Sequence, residues 1–383
     1  MTATLTSTLS FSADRDALYQ AVSHVQRATA ARPVQPILSN VYLQAQSSGT
    51  LVLAATDMDF SVRTEMPALV EGEGAVTVSA KKLSEILSKL PSGQTVAMTF
   101  KPEESLVHVQ CGSSAFDIRT MAAEDFPPIP LVDEMPTIQV DLASMIQAIS
   151  QTSFAAASYE TNNILGGVYF KLTSGMLEMA ATDGSRLARA LEATSSSLQS
   201  EEVTAVIPVR AIQEVVKLLS GSIQEGQTVG LNIAQGLISF RTDSVYVVSR
   251  LLDGQYPQYQ KLIPTENNIV AYANRKELIS SLERAAVMAN ERTHVVKMSF
   301  DGGHLTLAAN TPDLGDSKDV LNVEFNGSEP LQIAFNYKFL LDALKVMGTE
   351  DIKMETNGAL APTLFSARDQ NNYLCLVMPV QVK

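Results

Sequence analysis

The chain has 383 residues, 45% hydrophobic and 18% charged, with 28 Lys and Arg against 41 Asp and Glu, a formal net charge of −13. Such a charge excludes binding of nucleic acid or an anionic membrane over the whole outer surface, while leaving room for a concealed basic face. Two distant cysteines, Cys111 and Cys375, exclude a disulfide framework and a CxxC metal or redox site, and the length supplies roughly two to four domains.

Met1 to Asp14 is rich in Ser and Thr and lacks a basic region followed by an apolar one; no run of about 18 apolar residues occurs anywhere. A cytoplasmic chain without export signal or membrane span is expected. The first helix is predicted over 12–28, where Leu18, Ala21, Val22 and Val25 fall on one stripe. Alternating strands follow, Val41 to Ala45 and then Leu51 to Thr56, joined by a Ser48-Gly49 turn. A second helix is predicted over 79–90, with Leu83, Ile86, Leu87 and Leu90 at i, i+3, i+4 and i+7. Phe126-Pro127-Pro128-Ile129-Pro130 then interrupts the chain as a stiff joint.

The same succession returns twice. Helices are predicted over 141–157 and 208–220, then over 274–290 and 336–347. Leu-Val-Leu-Ala-Ala-Thr-Asp at 51–57 reappears as Leu-Glu-Met-Ala-Ala-Thr-Asp at 177–183 and as Leu-Thr-Leu-Ala-Ala-Asn at 305–310. The stripe Ile212, Val215, Val216, Leu219 and the stripe Leu340, Ala343, Leu344, Met347 repeat the second helix in step with those strands. A second joint runs from Tyr256-Pro257-Gln258-Tyr259 to Pro264. Repeats of about 125 residues are domain-sized rather than solenoid units. An α+β fold is therefore expected: three domains over 1–130, 138–264 and 268–383, each with two helices, antiparallel sheets and its own core.

Catalytic chemistry has little foothold. No GxxxxGK[ST] loop is present, and His24, His108, His294 and His304 stand apart from one another and from any cysteine pair, so no cofactor, metal or catalytic residue is expected. Asp57 and Asp183 read as turn residues after a strand, with Asn310 in the same role in the third copy. Arg186 either serves a ligand or pairs with Asp183. The basic residues are segregated: over the six predicted helices twelve Lys and Arg face eight acids, a surplus of four, and the rest of the chain carries −17. Lysine and arginine on repeated helices suit sequence-independent contact with phosphates, although ordinary solvated helix faces have a similar surplus.

Several motifs in order carry a resemblance to a family. They are Arg32-Pro33-Val34-Gln35-Pro36-Ile37-Leu38, Ala54-Ala55-Thr56-Asp57, Ala123-Glu124-Asp125-Phe126-Pro127, Ala181 to Ala188, Asp253 to Tyr259, and Val377-Met378-Pro379-Val380. Over essentially its full length the chain resembles the bacterial sliding clamps, the beta subunits of the replicative DNA polymerase. The resemblance implies three repeated clamp domains, a head-to-tail homodimer closed into a ring, and a non-catalytic role in processivity on double-stranded DNA. It places DNA contacts on Arg32, Lys81, Tyr159, Asn163 and Ile164. It places a pocket for short peptides of the polymerase, clamp loader, repair polymerases and ligase on Leu165, Thr182, Gly184, Ser185, Arg186, Leu187, Pro257, Lys261, Leu262, Asn336, Phe339, Pro362, Leu376, Val377, Met378, Pro379 and Val380. Ring closure by the same likeness uses Lys82, Phe116 and Ile118 of one subunit and Val287 and Met288 of the other.

Two other readings compete. One is a metabolic enzyme of repeated domains built around Asp183 and Arg186; the other is a protein-binding scaffold without DNA function. Three equivalent copies favour the clamp over the enzyme, and basic helices weigh against the scaffold.

Overall fold

The computed structural model describes residues 9–30, 32–132, 137–158, 163–198, 202–222 and 226–381. Six helices lie among them: α1 (Arg15–Gln26), α2 (Ala80–Lys89), α3 (Leu142–Thr152), α4 (Val209–Leu219), α5 (Arg275–Ala286) and α6 (Tyr337–Lys345). They fall where the apolar spacing puts them, trimmed by capping residues. Asp14 accepts the N–H groups of Asp16 and Ala17 at the start of α1, and Asp141, Asn274 and Asn336 cap α3, α5 and α6 in the same way. The predicted tail of α3 becomes a separate 3-10 turn at Ser153–Ala155.

The chain divides into two compact units, and neither coincides with a repeat. The first comprises Met1–Val140, Lys217–Ser222 and Thr228–Leu251. It is built on a thirteen-stranded sheet that holds the nine strands of the first repeat together with Ile138–Asp141, Thr228–Ala234, Leu237–Arg241 and Val245–Arg250 of the second. The link is a ladder between the strands Phe60–Pro67 and Val245–Arg250, with Thr64 opposite Val245 and Phe60 opposite Ser249. On α1 the residues Leu18, Ala21, Val22 and Val25 are buried, and on α2 Leu83 and Leu87. Each buried leucine contributes roughly 1.5–3 kcal/mol.

The second unit comprises Asp141–Val216, Ile223–Gln227 and Leu252–Lys383. Its nine-stranded sheet joins the second and third repeats where Arg186–Ala193 pairs with Tyr373–Val377, and a separate four-stranded sheet ends on the edge strand Gly315–Asn322. Sheets thereby run on from one repeat into the next across both joints. Strand edges left at the joints pair across them, because an unpaired row of N–H and C=O groups is costly to bury.

One correction concerns the third copy of the strand motif. Asn310 lies inside the strand His304–Thr311, opposite Asp316, and the turn closes one residue later, where Leu314 N–H donates to the Thr311 carbonyl at 2.9 Å. Asn310 therefore does not act as Asp57 and Asp183 do.

Candidate functional site

The second joint packs on one face of the nine-stranded sheet and forms the candidate groove there. Its framework is the turn after the strand Met176–Thr182. Asp183 Oδ1 accepts the N–H groups of Ser185 (2.9 Å) and Arg186 (3.0 Å), while the Thr182 hydroxyl donates to the Arg186 carbonyl at 2.7 Å and accepts from Gly184 N–H at 3.1 Å. Gly184 sits at φ +88°, in the left-handed region that glycine enters without steric penalty. The turn then launches Arg186–Ala193 against Tyr373–Val377, with Arg186 opposite Val377 and Leu187 opposite Leu376. Past that ladder Met378 N–H donates to the Ser185 carbonyl at 2.9 Å, and Val380 N–H to the Ala334 carbonyl at 2.8 Å.

Arg186 was open between a ligand and a structural role, and the structure commits it. Nε donates to Asp183 Oδ2 at 3.0 Å, Nη1 to Asp342 Oδ2 at 2.7 Å and Nη2 to the Phe154 carbonyl at 2.6 Å. The guanidinium lies 4.3 Å from the centre of the Phe339 ring. A guanidinium held this fully fixes the wall of the groove.

The floor is apolar. Leu187, Leu376, Leu364, Ala180 and Tyr259 form one buried cluster, with Tyr169, Tyr256, Ile263 and Leu374 packed on it. The Tyr259 hydroxyl donates to Glu178 Oε1 at 2.7 Å, and the Tyr256 oxygen accepts Thr182 N–H at 3.2 Å. Burial pushes the Tyr256 phenol up to about 12. It raises Tyr259 further, with help from the Glu178 carboxylate. Both phenols thus stay neutral and serve as fixed spacers. Beneath them Cys375 is fully buried and burial lifts its thiol to about 12, so it is no nucleophile at neutral pH.

Above this closed floor two apolar side chains stand open, Leu262 at 56% exposure and Met378 at 40%. Pro257, Lys261, Gly184 and Ser185 are exposed beside them, and Pro362, Phe339, Pro379 and Val380 are half-buried. Asn336 is occupied as the cap of α6, where its Oδ1 accepts Lys338 N–H at 3.0 Å. Leu165 belongs to the short turn Ile164–Gly166, its N–H bonded to Asn163 Oδ1 at 3.2 Å. Of the residues named from sequence, Thr182, Leu187, Leu376 and Val377 are buried members of this floor and its ladder. Sequence reasoning missed Tyr256, Tyr259, Phe154 and Asp342. The Tyr-Pro-Gln-Tyr run signalled the first two, but it read as a linker.

The remaining candidates are dispersed. Arg32 and Lys81 are exposed, as is Asn163, and Ile164 is half-buried; Tyr159 lies outside the described residues. Lys82 pairs with Glu85 at 2.9 Å. Phe116, at 37% exposure, lies on the strand Ser114–Met121, where Ile118 is buried; Val287 is 72% exposed after the end of α5, and Met288 lends its carbonyl to the Thr311 hydroxyl at 2.8 Å.

A groove with an apolar floor, two open apolar side chains and engaged backbone groups accepts apolar side chains of a short peptide. Three models of one family match the chain in succession: the DNA polymerase III beta subunit N-terminal domain over residues 9–130, its central domain over 139–258 and its C-terminal domain over 260–381. The chain belongs to the DNA polymerase III beta subunit family. The beta sliding clamp of Synechococcus elongatus is 35% identical over 372 residues, 96% of this chain and 97% of that one. The crystal structure of the DNA polymerase sliding clamp from Bacillus subtilis superposes with a TM-score of 0.90 at 29% identity, covering 98% of this chain and all of the other. A sliding clamp from Bartonella birtlesii bound to griselimycin matches with a TM-score of 0.90 at 31% identity over the same shares.

Proposed function

We propose that this chain is the subunit of a DNA sliding clamp. Two copies close head to tail into a ring around duplex DNA and tether the replicative polymerase, so that processivity comes from topology. The observation that carries this reading is the ordered match of all three family domains along one chain that shows three internal copies. The clamp domains are assigned to 1–130, 138–264 and 268–383, and the protein acts in the cytoplasm.

The groove at Leu187, Leu262, Leu376 and Met378 receives short peptides of the polymerase, the clamp loader and repair partners. Arg32, Lys81, Asn163 and Ile164, with Tyr159, are the DNA contacts. Phe116 and Ile118 with Lys82 meet Val287 and Met288 of a second copy; a heterologous contact of this kind closes when its rotation returns after two subunits. Exposed Phe116 and Val287 support that seam, since they supply apolar area that a partner would remove from water.

Retention on nicked circular DNA tests the reading. Protein loaded by the clamp loader is expected to stay on the circle and to leave when a restriction enzyme linearises it. Retention unchanged by linearisation would sink the topological model in favour of surface binding.

A further inference from the structure

The floor of the groove does not end at Leu187 and Leu376. Two residues further along the same ladder Arg189 stands opposite Leu374, on the same face because side chains alternate along a strand. Arg189 is half-buried, and its Nε is wholly buried without a hydrogen-bond partner. Among the described residues its guanidinium makes no hydrogen bond or ion pair. Arg186, by contrast, is saturated by Asp183, Asp342 and the Phe154 carbonyl.

The acids on this face are already engaged, Glu355 by Lys353 at 2.8 Å. Glu178 lies across the sheet, opposite Leu191, and its Oε1 holds the Tyr259 hydroxyl. The charge of Arg189 reaches Tyr259, where it opposes the upward shift of the phenol. On the rim, exposed Lys261 is a second cation with no ion pair among the described residues. A guanidinium partly removed from water and left without an acceptor is costly, and a carboxylate in bidentate contact is the partner that its planar fork fits best.

We propose that Arg189 is a specificity-determining residue of the groove, receiving an Asp or Glu side chain of the partner peptide beside the apolar side chains seated on Leu187, Leu376 and Leu262. The proposal rests on the reading of the groove as the peptide site. It makes the groove longer than its apolar part and selects acidic segments over neutral ones of equal hydrophobicity.

The test uses the full dimeric protein and overlapping peptides that tile the replicative polymerase subunit of the same genome, read by fluorescence anisotropy. Groove binders are those whose affinity falls when Met378→Asp replaces the wild type. In the strongest binder each Asp and Glu is changed in turn to Asn or Gln. One such change is expected to weaken binding to the wild type about tenfold, the scale of a charge-assisted hydrogen bond. The same change should be silent in Arg189→Met and partly felt in Arg189→Lys, with melting temperatures showing that both variants are folded. Equal affinities of acid and amide peptides for the wild type, or an equal loss in Arg189→Met, overturn the role of Arg189 and leave the groove intact. Binding of no peptide overturns the groove reading, and Arg189's role with it.

Discussion

At the scale of the residue, the turn that carries the groove has a twin at Thr56-Asp57-Met58. The Thr56 hydroxyl accepts Met58 N–H at 3.0 Å, and Asp57 Oδ1 accepts Asp59 N–H at 3.1 Å and Phe60 N–H at 2.8 Å. The bonds match those at 182–186, but a methionine at φ +84° stands where the groove has Gly184 at +88°. Left-handed backbone costs an ordinary residue about 1–2 kcal/mol, against about 0.5–1 kcal/mol of entropy lost by glycine. A Cβ built on Gly184 meets nothing within 4 Å, so only the backbone counts there. Gly184→Ala is therefore expected to lower unfolding free energy in urea by about 1 kcal/mol, and Met58→Gly to raise it by about 0.5 kcal/mol. A stabilised Gly184→Ala would refute the backbone account. The aspartates of these turns were legible in sequence because Asp after a strand has one cheap use. The fate of Arg186 was not, since Asp342 and Phe154 reach it from distant parts of the chain, 156 and 32 residues away.

At the scale of the element, the six helices and the Pro-rich joints were legible because an apolar stripe and a proline run are local properties, and the strand pairing across the joints was not, because it is not local. Phe126 and Tyr256 occupy equivalent places, each packed with tilted rings against a tyrosine of its own repeat, Tyr42 at 5.3 Å and Tyr169 at 5.6 Å. Six residues beyond each, Val132 is 4% exposed and packs on Tyr246 and Val248, whereas Leu262 stays open. At the first joint the Tyr246 hydroxyl donates to the Pro130 carbonyl and accepts Val132 N–H, and Arg250 pairs with Asp59 at 3.4 Å; the position is filled from within. The two joints thus treat this position differently, burying Val132 at the first and exposing Leu262 at the second, although the sequence patterns that announce them are alike. Elements are also tied by single acids. Asp16 in α1 accepts the Ser92 hydroxyl at 2.5 Å and Gly93 N–H at 2.9 Å in the turn after α2, and with Arg15 these hold its carboxyl at about 2. That lies below the value of about 3.9 for an unfolded aspartate. The tie is fully present above about pH 4 and is lost as pH falls toward 2. Asp16→Asn should melt below the wild type at neutral pH, and the gap should close between about pH 4 and pH 2. A gap that is constant with pH would mean that the bonds do not depend on the ionised carboxylate.

At the scale of the whole molecule, the charge of −13 is unevenly spent. The six helices carry eleven Lys and Arg against six Asp and Glu, and everything else carries −18. Much of the helical positive charge is already engaged. Arg15 pairs with Asp16, Lys82 with Glu85, Arg284 with Asp319 and Lys345 with Glu283, while Arg275 donates to the Thr349 and Leu344 carbonyls. Lys81, Lys89 and Lys276 remain exposed with no side-chain hydrogen bond or ion pair among the described residues. Among the described residues these three helical lysines give only a weak hold on phosphate, which suits a ring that must slide. Each neutralised phosphate contributes about 0.9 to the slope of log affinity against log salt, so unloaded protein should bind DNA with a shallow slope of about −3 per chain. Replacing the three lysines by glutamine should weaken that binding and flatten the slope, without hastening loss of loaded protein from closed circles. Equal salt sensitivity of free binding and of retention on closed circles would mean that charge, rather than ring closure, keeps the protein on DNA.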